Sequence, residues 1–420
     1  MSNVSYMEKL LDGISVEWNP LWEVTIWDKK FNSVKREKQS KVHNYTYLLA
    51  VDLFKLEQDK GDVFLLSTGE RTGWTTEQLA GRHLREGEVV AIPWGKSRPL
   101  REVIKYYQGR FVTADNRIAT SNDTNRLSNK FLYYWMASQS ELIDTFYRGA
   151  GIQHPSMAAV LDMEIPIPPI QIQAKIVRIL DTLTSLTTEL TTELNARKKQ
   201  YNYYRDKLLS FEEGEAEWKT LGECFPQIRN GFVGTVTPFY TDSSIGIRYL
   251  QGTNIKNGKI NDDKVFFVTK EFHQRQKKTI LKADDILVVQ SGHVGDSAVV
   301  GIEYQDSNCH ALIVMSNGGN CNSKFVNYYL QSREGQGKLA HIVTGGTVKH
   351  ILASKIKKVI VPLPPSAEQA RIVAILDKFE ALTNSLREGL PREIELRQKQ
   401  YEYYRDLLLS FPKQESEEAA

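Results

Sequence analysis

Two short stretches in the first half gather cations beside side chains able to hydrogen-bond a base edge. VKREKQSK (34–41) carries Lys35, Arg36, Lys38 and Lys41, and PWGKSRPLR (93–101) carries Trp94, Lys96, Arg98 and Arg101. In the second half KEFHQRQKK (270–278) supplies Arg275, Lys277 and Lys278, and Gln290, Ser291 and His293 follow an apolar stretch. Lysine and arginine anchor phosphates, while arginine, glutamine and histidine reach base edges, so both halves hold the residue types that duplex reading needs. Any one cluster in isolation reads better as a solvated charged loop. The matched placement in both halves moves the balance toward DNA. His154 and His350, the latter preceded by Lys349, each follow a glycine turn and fit a phosphate or base contact and a structural histidine equally.

Catalytic signatures are missing where they are easiest to see. GTNIKNGKI (252–260) has a spacing one residue too long for a phosphate loop, and neither Ser nor Thr follows its lysine. NPLW (19–22) holds only part of a methyltransferase Asn-Pro-Pro-aromatic motif, and no glycine-rich nucleotide loop supports it. GIQHPSM lacks a nucleophile elbow.

Composition sets the frame for these residues. A chain of 420 residues with 41% hydrophobic and 25% charged residues is globular and long enough for two or three domains. A net charge of only +3 excludes a histone-like binder and requires any basic surface to be local. Cys224, Cys309 and Cys321 form an odd set without CxxC spacing, as expected of free thiols in a reducing cytoplasm. No apolar run reaches the roughly 20 residues a bilayer crossing needs, and MSNVSYMEKLLDG has no signal-peptide core, so the expectation is a soluble cytoplasmic protein.

The elements that must position the clusters are written twice. QYNYYRDKLLSF (200–211) recurs as QYEYYRDLLLSF (400–411), and IPIPPIQIQAKIVRILD (165–181) recurs as VPLPPSAEQARIVAILD (361–377). Apolar residues fall at Ile176, Leu180, Leu183, Leu186, Leu190 and Leu194, and with the same steps at Ile372, Leu376, Phe379, Leu382, Leu386 and Leu390. That spacing is the seam of an amphipathic helix begun after Pro-Pro. About 40 residues at 1.5 Å each make a rod of about 60 Å, too long for one small domain to cover. Two such seams predict an antiparallel coiled-coil-like pair. The second copy is four residues longer, around GLPREIELRQ, where Gly389 and Pro391 predict a break.

Fainter correspondences precede the rods. LREGEVVAIPWG (84–95) matches LKADDILVVQSG (281–292), GAGIQH (149–154) matches GGTVKH (345–350), and EWNPL (17–21) matches EWKTL (217–221). YMEKLLDG near the start reads as a worn YRDKLLSF, as if a ring of two units had been cut inside one helix. The fold class predicted is α+β: two α/β recognition domains separated by two long antiparallel helices, with a pseudo-twofold circular repeat. The boundaries are 1–163, 164–213, 214–360 and 361–412, with an acidic tail at 413–420.

The rods, with PLPP, EQ, ILD, EGLPREIELRQKQYEYYRDLLLSF and the TTEL-TTEL run at 187–194, make the chain resemble the specificity subunit of type I restriction-modification enzymes, the type IC-like group in particular. Ile172-Gln173 departs from the expected Glu-Gln. The resemblance implies a non-catalytic adaptor on double-stranded DNA, each domain reading one half of a split site and the TTEL units setting the spacer. It also implies docking of two methyltransferase subunits and then restriction/translocase subunits, with S-adenosylmethionine, ATP and Mg held by those partners and none by this chain. The helical surface assigned to docking is Tyr201, Tyr204, Arg205 and Tyr401, Tyr404, Arg405. The alternatives are a coiled-coil protein scaffold and an autonomous DNA methyltransferase.

Overall fold

The computed structural model describes residues 10–11, 13–346, 349–384 and 389–412. Most of YMEKLLDG and the whole acidic tail lie outside them. The chain divides into two compact units, residues 1–189 with 394–420, and residues 190–393.

In unit 1, β1 (Glu17–Pro20) is followed by a six-stranded mixed sheet. Its strands are β2 (Thr25–Trp27), β3 (Val63–Leu66), β4 (Gly73–Thr75), β5 (Arg85–Pro93), β6 (Lys105–Thr113) and β7 (Asn116–Ser121), in the order β2-β7-β5-β6-β3-β4. β5 turns apolar and fully buried from Val89 to Pro93, the pattern of a strand covered on both faces. Helix α1 (Asn129–Ser138), capped by the Ser128 hydroxyl, packs on it with Phe131, Leu132 and Trp135. A short hairpin of β8 (Tyr147–Arg148) and β9 (His154–Pro155) precedes β10 (Glu164–Ile167), which returns to pair with β1 so that Trp18 faces Pro166.

Helix α2 (Ile170–Leu208) then runs 39 residues without Gly or Pro. At its start Gln173, fully buried, donates to the Pro168 carbonyl at 2.8 Å and accepts from the Ser128 amide at 2.9 Å. It thereby satisfies the open amide at the start of α1 and ties it to the residue that leads into α2. Ile172, Ile176 and Leu180 share one core with Leu408, Leu409 and Phe411. Toward mid-helix the seam loses cover, with Leu183, Leu190 and Leu194 half-buried and Leu186 exposed.

Unit 2 repeats the plan with smaller sheets. β11 (Glu217–Thr220) leads to β12 (Gln227–Asn230), β13 (Ile247–Leu250), the β14 (Ile255–Lys256) to β15 (Lys259–Ile260) hairpin, β16 (Phe266–Val268), β17 (Ile286–Val289), β18 (Ser297–Val299), β19 (Asn308–Cys309), β20 (Leu312–Ser316) and β21 (Ile360–Leu363). They form β12-β20-β17-β18 and β16-β13-β19 sheets, and β11 pairs with β21 so that Trp218 faces Pro362. Asn257 and Gly258, both at positive φ, close the β14–β15 turn, so GTNIKNGKI is a hairpin and no phosphate loop. Helices α3 (Ser323–Gln331) and α4 (Arg333–His341) follow β20.

Helix α5 (Ser366–Asn384) opens on Gln369, which donates to the Pro364 carbonyl at 2.8 Å and accepts from the Asn322 amide at 2.9 Å, as Gln173 does in unit 1. The Glu-to-Ile change beside Gln173 thus leaves the cap intact. Ile372 and Leu376 share the unit 2 core with Tyr201 and Leu209 from the end of α2. α5 and α6 (Leu390–Leu409) are separate helices, and Gly389 between them holds φ +84, where an added Cβ would meet the Ala381 carbonyl. The predicted break is there. Within each unit the start of one long helix lies antiparallel against the end of the other.

Candidate nucleic-acid interface

The buried run of β5 ends at Pro93, and the chain leaves the sheet as Trp94-Gly95-Lys96. The glycine loop at 149–154 comes back to it. Lys96 and Gln153 exchange backbone hydrogen bonds of 3.0 and 2.9 Å. His154 Nδ1 donates to the Trp94 carbonyl at 2.9 Å, and the two rings lie 5.1 Å apart. In the neutral ring this leaves Nε2 available as an acceptor. Gly95 lies at the crossing, where a Cβ would sit 2.9 Å from Cγ2 of the exposed Ile152.

Beneath this pair Arg117, 1% exposed, holds its guanidinium 4.5 Å from the Trp94 ring centre. Asp28 accepts from it at 3.1 Å and Asp115 at 2.6 Å. Burial pushes Asp28 up to about 6, outweighing the attraction of Arg117. Arg117 is the platform for Trp94, and sequence reasoning missed it because a cation inside an apolar strand has no signature until its acids are placed.

Unit 2 builds the same pair. β17 ends at Val289, the chain leaves as Gln290-Ser291-Gly292-His293 with Gly292 at φ +86, and the second glycine loop returns. Ser291 bridges to His350, the Ile351 amide donates to the Gln290 carbonyl at 3.1 Å, and Thr344 and His350 exchange backbone bonds of 2.9 and 2.8 Å. Ser291, His293 and Lys349 are exposed and His350 is half-buried. The Gly252 turn backs onto the Ser291 carbonyl, and beside it Gln251 Nε2 donates to the Tyr240 hydroxyl at 2.7 Å. Tyr240 and Gln251 went unflagged because neither sits in a charged run.

The remaining predicted residues scatter. Lys96 is a correction: its side chain is buried, paired with Asp144 at 2.8 Å and set over the Tyr147 ring, so it holds the loop and faces no duplex. Two acidic or aromatic neighbours in the fold outcompete solvent for it. Lys38 is tied to Asp162 and lies over Trp22, and Arg98 is tied to Glu70. Lys35, Arg36, Lys41 and Arg101 are exposed. Arg275 pairs with Glu271 on a helix whose Phe272 packs with Tyr249 and Val268 of the β16-β13-β19 sheet. Lys277 and Lys278 are exposed at its end, where Arg229 Nε donates to the Lys278 carbonyl at 2.8 Å. That cluster and Gln290 therefore belong to different sheets.

On the helical surface Tyr201 alone of the six predicted residues needs correction. Tyr201 is 7% exposed, with its ring against Phe379, and the Arg205 guanidinium lies over the Tyr201 ring while pairing with Asp206. Tyr401 is half-buried under Arg405, which pairs with Asp406. Tyr204 and Tyr404 are partly open, at 38% and 36%. The side chains that stand free are Tyr203 and Tyr403, 62% and 65% exposed, each edge-on to its neighbour at 5.3 Å. The seam spacing turns positions 201 and 401 inward and 203 and 403 outward.

Among the described residues no group of three or more His, Cys, Asp or Glu is placed to hold a metal, and no helix is long and apolar enough to cross a membrane.

The type I restriction modification DNA specificity domain family matches residues 102–199 and 233–396. The chain is 36% identical to a type I restriction enzyme specificity subunit of Escherichia coli, over 99% of both chains. It is 34% identical to a putative type I restriction enzyme specificity subunit of Haemophilus influenzae, over 98% of this chain and 99% of the other. The fold is similar to that of a type I restriction-modification S subunit from M. genitalium, with a TM-score of 0.57 at 16% identity over 96% and 98% of the two chains. Two loop pairs on a duplicated frame and these matches agree: the chain belongs to the type I restriction-modification DNA specificity family.

Proposed function

We propose that each unit reads one half of a split site on double-stranded DNA through its paired loops, 94–101 with 149–154 in unit 1 and 290–293 with 344–350 in unit 2. The observation that carries this is the duplication of the loop pair, each on its own buried strand. Exposed Lys349 and Arg101 would anchor phosphates, and His154, Gln290, Ser291 and His293 would reach base edges. Residues 187–194 lie inside the single helix α2, so each added TTEL unit lengthens it by about 6 Å and turns it about 40°, changing the spacer.

The chain would act without catalysis of its own in the cytoplasm, recruiting two methyltransferase subunits and then restriction subunits, with S-adenosylmethionine, ATP and Mg bound by those partners. Exchanging residues 15–160 for another recognition domain, followed by mapping of methylated adenines, tests this. One half-site should change while the other stays; change in both would overturn the two-reader scheme.

A further inference from the structure

We propose that Cys224 and Cys321 of unit 2 form a two-thiol site that a peroxide converts reversibly into a disulfide. The β12–β20 ladder sets Gln227 opposite Ser316. The segment before β12 and the segment after β20 therefore continue side by side, and Gly318 lies against Pro226, where an added Cβ would be 3.0 Å from Pro226 Cγ. Cys224 and Cys321 come next on the two segments. Their side chains meet in the unit 2 core, Cys224 inside it and Cys321 packed against it, and this neighbourhood draws Cys224 down and pushes Cys321 up.

Unit 1 supplies the control. At the equivalent positions it carries Val24 and Leu127, both 1% exposed and in one core. The frame thus needs only an apolar pair here, and thiol chemistry is an addition. Cys224 is fully buried and Cys321 only partly so, which makes Cys321 the thiol an oxidant reaches first. Cys309, the third cysteine, is buried against Thr279 and takes no part.

The balance is complete with peroxide as oxidant. Cys321 gives its proton to solvent and its sulfur displaces hydroxide from H2O2, forming S–O as O–O breaks; the sulfur loses two electrons and the peroxide gains them. The Cys224 sulfur then attacks that sulfur, S–S forms and S–O breaks, and the Cys224 proton passes to the departing hydroxide, which leaves as water. Because its contact with Cys224 and burial hold Cys321 protonated, the first step is slow, and the site is a staple set under sustained oxidation. It lies one residue from Asn322, whose amide Gln369 accepts at the start of α5, so it ties that contact to β12.

The test uses the full chain treated with millimolar H2O2, quenched, unfolded in denaturant and titrated with a thiol reagent. The three thiols should fall to one, a non-reducing digest should give a Cys224–Cys321 linked peptide, and dithiothreitol should restore all three. Three thiols remaining, or Cys321 carried only to sulfinic acid, would overturn the proposal. Cys224→Val and Cys321→Leu, the residues unit 1 uses, should keep the fold and abolish the link. Cys309→Ser should keep the link, and its loss there would equally count against the pair.

Discussion

The Tyr134 hydroxyl donates to Asp181 Oδ1 at 2.5 Å, joining α1 to α2. In unit 2 Tyr328 stands in the same relation to Asp377 at 2.7 Å, and Lys130 and Lys324 complete the two copies at 3.0 and 2.9 Å from the same carboxylates. A hydrogen bond to a charged acceptor contributes about 1.5–3 kcal/mol. Tyr134→Phe should therefore cost about 2 kcal/mol and Tyr328→Phe more, because the Tyr328 hydroxyl also meets the Glu380 carboxyl at 2.8 Å, measured by urea unfolding. The two sites are far apart in sequence and share no partner, so the double variant should show the sum. A marked departure from additivity would mean the copies are not independent fasteners.

Gly95 lets the unit 1 loops cross. Gly95→Ala places a methyl against Ile152 and His154, and because Ile152 is exposed and can give way the cost falls at the low end of overpacking, about 1 kcal/mol. Passed to the loop pair, that is about a fivefold loss of affinity for the first half-site. Adding Ile152→Ala should recover part of it, and the second half-site should be unaffected. Competition binding with duplexes altered in one half-site at a time reads all three outcomes.

What the sequence made legible was whatever repeats or has a period. The rods, their Pro-Pro starts, the break at Gly389 and the matched glycine loops are local patterns, and the structure contains them. Which cation faces outward is decided by long-range partners: Asp144 claims Lys96 from 48 residues away, and Asp28 and Asp115 claim Arg117. A run such as PWGKSRPLR shows its charge but not the acid that will neutralise it. In the tyrosine clusters only Tyr201 departs from the outward placement expected of it. Their spacing held that burial, since positions 203 and 403 are separated from 201 and 401 by following the seam into the next turn.

Lys96 and Lys349 look alike in sequence and should behave oppositely. Lys96→Ala removes a buried cation and strands Asp144, so thermal stability should fall by several degrees. Lys349→Ala touches an exposed residue and should leave stability unchanged. It should reduce the log–log salt dependence of DNA binding by about 0.9, one phosphate contact. Unaltered salt dependence would remove Lys349 from the interface.

Asp28 predicts a pH dependence. Its folded value of about 6 lies above the ordinary 3.8, so between those limits the folded chain holds more protons than the unfolded one. Stability from this group is full below the ordinary value and is lost as pH rises through about 6. Over that window the loss is about 3 kcal/mol at most. Asp28→Asn should flatten the unfolding free energy of unit 1 between pH 4 and 6. A wild-type curve that rises there with the same slope in the variant would show that Asp28 titrates normally.

The tyrosine pairs separate packing from docking. Tyr201→Ala opens a hole beside Phe379 in the unit 2 core and should cost about 3–5 kcal/mol. Tyr203→Ala and Tyr403→Ala remove rings that are already in solvent, so unfolding should shift by no more than about 0.5 kcal/mol. If two equivalent partner subunits dock on these helices as proposed, aromatic side chains standing free at equivalent places in both copies are the anchors they would bury. Each single variant should then weaken recruitment of one methyltransferase subunit, and the double variant of both, read as a change from two bound partners to one and to none by native mass. Full two-partner assembly with both rings removed would assign docking to another face of the helices.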